Sequence, residues 1–158
     1  AYLKQSNYGL GITDITINNN SSYYTGGGTG TSYKTNIGQS TSGNITGVYD
    51  MSGGAFEYVM GNYNKTAGSS GLTVSGVPAE HIDIYSGTSV AASHLGDALG
   101  ETAGWYSDYA NFVYSAYPWF KRGGYYGNGD DEGVFNFYYG LGEGYDGNGF
   151  RVVLSITK

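Results

Sequence analysis

Apolar residues along the chain form short groups separated by long polar stretches. Ile12, Ile15 and Ile17 alternate with polar residues, a pattern that predicts a strand or the edge of one. Residues 18–44 have no apolar periodicity and are predicted to form a long loop. Within a second loop, residues 71–77 predict a small strand. The first half of the chain is therefore predicted to be loop-rich.

The remaining apolar groups predict short elements of both kinds. Residues 47–63 contain two groups around a Ser-Gly-Gly turn, which suits either a short helix or two strands joined by a turn. Residues 94–105 carry apolar side chains at helical spacing, weakened by glycines. Pro118 marks a break before a predicted strand over 119–124, and another strand is predicted over 150–156. Together these elements predict an α+β fold.

Two residue types are unusually frequent, with 29 Gly and 18 Tyr. Charged residues make up 13% of the chain, below the roughly 25% of ordinary globular domains. The aromatic content of 16% nevertheless argues against disorder, because disordered chains lack such bulky side chains. With no internal repeat and no linker, we expect one domain over residues 1–158.

Charge and cysteine content disfavour several classes of function. The net charge is −6 with only seven Lys and Arg, whereas nucleic-acid binding needs basic side chains to neutralise phosphates. No apolar run approaches the roughly 20 residues of a membrane helix, so no membrane contact is expected in this segment. There is no cysteine for a disulfide, a thiolate nucleophile or a Cys-based metal site. Because the first residue is not Met, we expect a longer parent protein.

Candidate catalytic and metal-binding residues are sparse. His81 and His94 are not accompanied by a Gly-x-Ser-x-Gly motif, and surface or capping roles are favoured for them. Calcium binding by the C-terminal acids lacks the closing Glu of a calcium loop, so solvated loop acids are favoured over a metal site. These acids are Asp130, Asp131, Glu132, Glu143 and Asp146.

Two separated motifs resemble formylglycine-generating-enzyme-like domains. The segment "GVYDMSGGAFEYVMGNY" is similar to their "GLYDMSGNVWEW" element, and "WFKRGGYY…GFRVVL" is similar to their "RGGSW…GFR" closure. Together these segments cover about half of the chain, in the family's order. The matching residues of the closure are Arg122, Gly123, Gly124, Gly149, Phe150 and Arg151.

This resemblance implies a C-type-lectin-like fold with short paired strands, two helices and long loops. It does not imply the family's reaction, which uses copper-binding cysteines that this chain lacks. Gly54 stands where the family has an Asn that helps bind calcium, although Glu57 matches the family's acid. We therefore expect no enzyme activity and no cofactor, with calcium left open at that site.

The C-terminal stretch "RGGYYGNGDDEGVFNFYYGLGEGYDGNGFRVVL" also resembles the variable region of proteins diversified by retroelements, which use the same fold. In those systems, template adenines are randomised, and Asn codons yield Tyr, Asp, Gly, Ser, Leu or Phe. Glu132 and Glu143 do not fit, because an Asn codon cannot reach Glu without changing its third base to a purine. Within the stretch, Val134–Phe137 predicts a short strand with Phe135 and Phe137 facing the core and Asn136 facing outward.

The resemblance and the residue types predict a ligand-binding surface over residues 122–150. Tyrosine offers a large, rigid contact area, and Gly, Ser and Asn add adaptable polar contacts, as in antibody loops. Tyr114 and Tyr117 are instead expected to pack internally beside Pro118. The predicted ligand-binding residues are Tyr125, Tyr126, Asn128, Asp130, Asp131, Asn136, Tyr138, Tyr139, Leu141, Glu143, Tyr145, Asp146 and Asn148.

Such domains occur in gut-bacterial surface and pilin-like proteins and in phage, which implies an extracellular location on a cell surface or phage particle. The expected partner is a protein or glycan on another cell or host surface. Three alternatives remain open: a structural pilus or tail-tip domain with tyrosines in subunit contacts, a degenerate formylglycine-generating-type enzyme, and a glycan lectin.

Overall fold

The computed structural model describes residue 45 and residues 54–128 and 133–151. Over this part of the chain the fold is α+β, with a small mixed sheet and a few short helical turns. The predicted strand at Ile12–Ile17, the loop over 18–44 and the chain beyond residue 151 lie outside the described residues, as do Asp130, Asp131 and Glu132.

Five strands form one sheet. They are β1 (Phe56–Tyr63), β2 (Asp83–Tyr85), β3 (Trp119–Arg122), β4 (Phe137–Gly140) and β5 (Asn148–Phe150). The described helical segments are α1 (Leu99–Thr102) and single 3₁₀ turns at Ala79–His81, Val90–Ala92 and Trp105–Ser107. The predicted strand after Pro118 is confirmed as β3, and the second half of the 47–63 segment is the strand β1.

Strand β1 is the centre of the sheet. It pairs in parallel with β5 through its first residues and with β2 through its last residues. Strand β3 is antiparallel to β1, and β4 is antiparallel to β3. Since β3 contacts both ends of β1 along one edge, β2 and β5 share the other edge. The sheet thus joins segments from across the described chain, including the two matched motifs.

The core lies on one face of this sheet. Phe120 of β3 and Phe137 of β4 are almost completely buried, and their rings lie 6.1 Å apart in an edge-to-face arrangement. Phe120 also meets the rings of Tyr85 and Phe112 edge to face, at 5.2 and 4.9 Å. Leu99 of α1 and Val113 complete the cluster. Edge-to-face packing is the arrangement that aromatic quadrupoles favour.

Two sequence predictions for local elements are wrong. The 94–105 segment forms only the four-residue helix α1, because the backbone is left-handed at Gly96 and Ala98 and cannot be helical there. The Asp97 carboxylate accepts hydrogen bonds from the N–H groups of His94 and Leu99 in the turn that precedes the helix. Residues 71–77 form turns and irregular backbone with no strand.

We expect Phe137→Ala to lower the free energy of unfolding by about 3–5 kcal/mol, because the truncation leaves a cavity beneath β4. Leu95→Ala is the matched control, since Leu95 is 101% exposed and its change is expected to stay within about 0.5 kcal/mol. Urea denaturation of both variants measures the difference. Equal losses would show that the core does not lie where the sheet places it.

Candidate functional site: a tyrosine-lined groove on the sheet

The sheet face opposite the core carries a groove. Tyr58, Lys121 and Tyr138 are register partners on the three neighbouring strands β1, β3 and β4, so their side chains share this face. The groove has a volume of about 390 Å³. It is lined by Tyr58, Tyr117, Lys121, Tyr138, Tyr139, Gly140, Leu141, Glu143, Tyr145 and Asn148.

Lys121 lies at the centre of this lining. Its Nζ atom is 4.1 Å from the ring centroid of Phe56 and 5.7 Å from that of Tyr138. The same ammonium is 3.3 Å from Oδ1 of Asn148, while the Asn148 amide nitrogen donates to the Glu143 carbonyl. Aromatic faces attract a cation through their negative quadrupole. The lysine is therefore held in place by two rings and one amide.

Tyr125 extends the aromatic surface beyond the groove. Its ring stacks on Phe56 at 5.9 Å and meets Tyr126 at 4.3 Å, and its hydroxyl lies 3.5 Å from that of Tyr145. Hydrogen bonding to the Tyr126 hydroxyl, then to that of Tyr145, raises the pKa of Tyr125 above its ordinary value, and burial adds to the shift. The three phenol groups therefore form one cluster around Tyr125.

Two glycines let tyrosine rings lie directly on the backbone. A Cβ atom at Gly147 would come within 2.2 Å of the Tyr125 ring, and one at Gly140 within 2.7 Å of the Tyr58 hydroxyl. The Tyr58 hydroxyl accepts a hydrogen bond from the Gly142 N–H at 3.1 Å. Burial is the main cause that raises the pKa of Tyr58. The tyrosines of the site are therefore partly embedded in the glycine-rich chain around them.

Asp108 anchors the chain that leads into β4. Its buried carboxylate accepts hydrogen bonds from the N–H groups of Gly133 and Phe135, at 2.9 and 2.8 Å. Those contacts fix a turn, which the sequence pattern of alternating residues does not reveal. The predicted strand over Val134–Phe137 is therefore wrong in extent, because β4 begins only at Phe137.

The turn also reverses two predicted orientations. Asn136 is fully buried at 0% exposure, so its predicted position on the binding surface is wrong. Phe135, which was expected in the core, is half-buried and stacks on the exposed ring of Tyr106 at 5.6 Å. Phe137 is buried as expected. Strand alternation fails here because two of the three residues precede the strand.

Most of the other predicted site residues come together. Those that line the groove are Tyr138, Tyr139, Leu141, Glu143, Tyr145 and Asn148. Tyr125 and Tyr126 lie beside it through the ring contacts above, while Asn128 and Asp146 are exposed outside the lining. Asp130 and Asp131 lie outside the described residues. Tyr139 also packs against the core.

Four lining residues are not among the predicted ligand-binding residues: Gly140, which has no side chain, and Tyr58, Tyr117 and Lys121. Tyr58 and Lys121 are on strands outside the predicted surface, and Tyr117 was assigned to internal packing. Tyr117 does pack on Tyr114 and Tyr139, at 5.4 and 5.0 Å, but it also reaches the groove. The available signal was alternation, since Lys121 follows the apolar Phe120 in a strand and must face away from it.

The two matched arginines lie outside the groove lining. Arg151 donates from Nε to Glu57, the acid that matches the family motif, and so ties the end of β5 to β1. Arg122 faces a cavity of about 280 Å³ on the core side, with Asp97 and Tyr85 in its lining, and its burial lowers the pKa of the guanidinium.

In residues 45, 54–128 and 133–151, no three His, Asp or Glu side chains form a group that could hold a metal ion. No helix within those ranges has the length and apolar character needed to cross a membrane.

Asp108→Asn is expected to lower the free energy of unfolding by about 1–3 kcal/mol, because the amide nitrogen would face one of the two N–H donors. Asp146→Asn provides the control, since Asp146 is an exposed acid of the same region. Thermal or urea unfolding compares the two variants. A similar effect at both positions would contradict the anchoring role.

Alkaline titration should reveal the Tyr125 cluster. A tyrosine whose pKa is raised by folding keeps its stabilising contribution below the unfolded value of about 10 and loses it as the pH rises toward the folded pKa. Near-ultraviolet phenolate absorbance should therefore include a late-titrating component that Tyr125→Phe reduces, while Tyr58 and Tyr85, whose pKa values burial also raises, keep their share of it. The urea-unfolded chain is the reference. The assignment to Tyr125 would be wrong if Tyr125→Phe left the late-titrating component unchanged.

Comparison with known proteins assigns neither a family nor a function to this chain. No family model, no curated protein and no solved structure matches this chain. The function must therefore be inferred from the groove, from the chemistry of its lining and from the motif resemblance of the sequence.

Proposed function

We propose that this chain is a non-enzymatic ligand-binding domain with a C-type-lectin-like fold of the formylglycine-generating-enzyme subtype. Its C-terminal surface, over residues 122–150, is diversified by a retroelement and binds a protein or glycan outside the cell. The domain belongs to a bacterial surface protein or a phage particle, where variation in the binding surface changes the ligand.

The convergence of the predicted binding residues in one groove carries this proposal. Six of them line the groove, although they are spread over residues 138–148 and their neighbours in sequence include buried framework residues. The surface and the core alternate within β4, where Phe137 is buried and Tyr138 faces the groove. Groove residues that face away from the core, such as Tyr138, can therefore change while the core contacts stay the same, whereas Tyr139 also packs against the core.

The state of the tyrosines also supports a binding role. Tyr138 and Tyr139 are half-buried, and Tyr145 is 60% exposed, so the rings are held by packing and still present surface. A ring that is ordered before binding loses little conformational entropy when it contacts a ligand. Tyrosine is also among the residue types that dominate binding energy at interfaces.

Strand pairing supports the proposed fold subtype. The two motifs that carry the resemblance are distant in sequence but adjacent in the sheet, where Glu57 pairs with Gly149 on one side and with Arg122 on the other. The Glu57–Arg151 ion pair joins the same two motifs. The absence of cysteine throughout the chain supports a binding role over the oxidase chemistry of that family.

The DNA next to the coding sequence tests the diversification. We expect a reverse transcriptase gene and a near-copy of the region that encodes residues 122–154, with differences concentrated at adenines of the copy. Differences should fall at codons 138 and 145, in the groove. They should spare codons 136 and 137, whose side chains are fully buried, even though an Asn codon is a favoured target.

Sequencing of the locus decides between the outcomes. Differences spread evenly over buried and groove codons, or the absence of any near-copy, would contradict the proposal. A structural pilus or tail-tip domain predicts instead that the protein oligomerises with concentration. In that case, changing Tyr125, Tyr126, Tyr138 and Tyr139 to Ser would abolish the oligomer in sedimentation experiments.

A further inference from the structure

The groove lining has two origins. Tyr58, Tyr117 and Lys121 precede residue 122, so they lie outside the proposed variable region, whereas Tyr138, Tyr139 and Tyr145 lie inside it. On the proposed function, the first three residues are identical in every variant of the domain. A ligand that enters the groove therefore meets one constant set of groups and one changing set.

The charges of the lining favour a neutral ligand. Lys121 is its single cation and Glu143 its single anion among the described residues. A strongly charged ligand would meet one opposite charge and one like charge. The remaining polar groups are tyrosine hydroxyls and the Asn148 amide, which both donate and accept hydrogen bonds. This mixture of donors and acceptors without net charge suits a ligand that has several hydroxyl groups.

Shape and aromatic content point in the same direction. The volume of about 390 Å³ lies within the range of small-molecule pockets, roughly 300–1,000 Å³. Five tyrosines contribute to the walls. A pyranose ring has faces of C–H groups that pack on aromatic rings and an edge of hydroxyl groups that hydrogen-bond. The groove offers both kinds of contact.

We propose that the groove binds a neutral hexopyranose residue of a glycan, without calcium. This inference rests on the proposed function and names its ligand class. Lys121, which lies outside the variable region, donates hydrogen bonds to sugar hydroxyls. The tyrosines of the variable region pack on the sugar faces and select among hexoses. The proposed sugar contacts involve no calcium. Calcium takes six to eight oxygen ligands, whereas the lining contains one carboxylate.

Saturation-transfer NMR with the intact chain in EDTA tests this inference. The probes are the methyl glycosides of glucose, galactose, mannose and N-acetylglucosamine, with methyl glucuronide as the charged comparator. We expect transfer to the ring C–H protons of at least one neutral glycoside. Lys121→Met keeps the length of the side chain but removes its hydrogen-bond donors, so it should raise the dissociation constant roughly tenfold.

A matched pair of tyrosine variants guards against loss of folding. Tyr145→Ala removes a groove ring and should reduce saturation transfer, whereas Tyr106→Ala removes a ring of similar exposure outside the lining and should not. Circular dichroism checks that both variants are folded.

Three results would overturn the inference: no transfer from any neutral glycoside, transfer from the glucuronide alone, and transfer that Tyr145→Ala leaves unchanged. None of these results would contradict the proposed function, which sequencing of the locus tests separately. A diversified groove that binds only protein ligands would still have an adenine-biased near-copy beside its gene.

Discussion

The burial of Phe120 and Phe137 against one face of the sheet is the constraint on which the site depends. Neighbouring residues in a strand face opposite sides, so burying these two rings forces Lys121 and Tyr138 onto the other face. The direct pairing of Lys121 with Tyr138 across β3 and β4 then brings the cation and the ring together. The groove is thus a consequence of the core, and changes at Lys121 or Tyr138 leave the core contacts intact. Tyr139 is the exception, because it lines the groove and also packs against the core.

Close contact between tyrosine and glycine explains the unusual composition of the C-terminal stretch. The Tyr125 ring occupies the space that a side chain at Gly147 would need, and the Tyr58 hydroxyl does the same at Gly140. Each glycine lets a ring lie on the backbone, where one ring face is buried and the remaining surface stays accessible. Interleaved Tyr and Gly therefore build a rigid aromatic surface from chain that has little regular secondary structure.

Sequence reasoning succeeded where a local pattern determined the structure. Pro118 and the apolar residues after it were sufficient to predict β3, and six of the residues predicted to bind a ligand line the groove. It failed at Asn136, because the orientation there is set by the carboxylate of Asp108, which lies far away in sequence. It also missed Tyr58, because only the pairing of β1 with β3 brings that residue into the groove. Long-range pairing and side-chain anchors leave no local signal.

The same contacts imply that the surface positions differ in their freedom to vary. The Tyr125 ring stacks on Phe56 and covers Gly147, so a smaller residue there would uncover framework atoms as well as change the ligand contact. Tyr145 is 60% exposed and can change at lower cost to stability. Lys121 is fixed by the Phe56 ring and by Asn148. On the proposed function, variation is therefore easiest at an exposed ring such as Tyr145 and most costly where a ring covers the framework, as at Tyr125, so one frame can keep its constant contacts while the fit around a ligand changes.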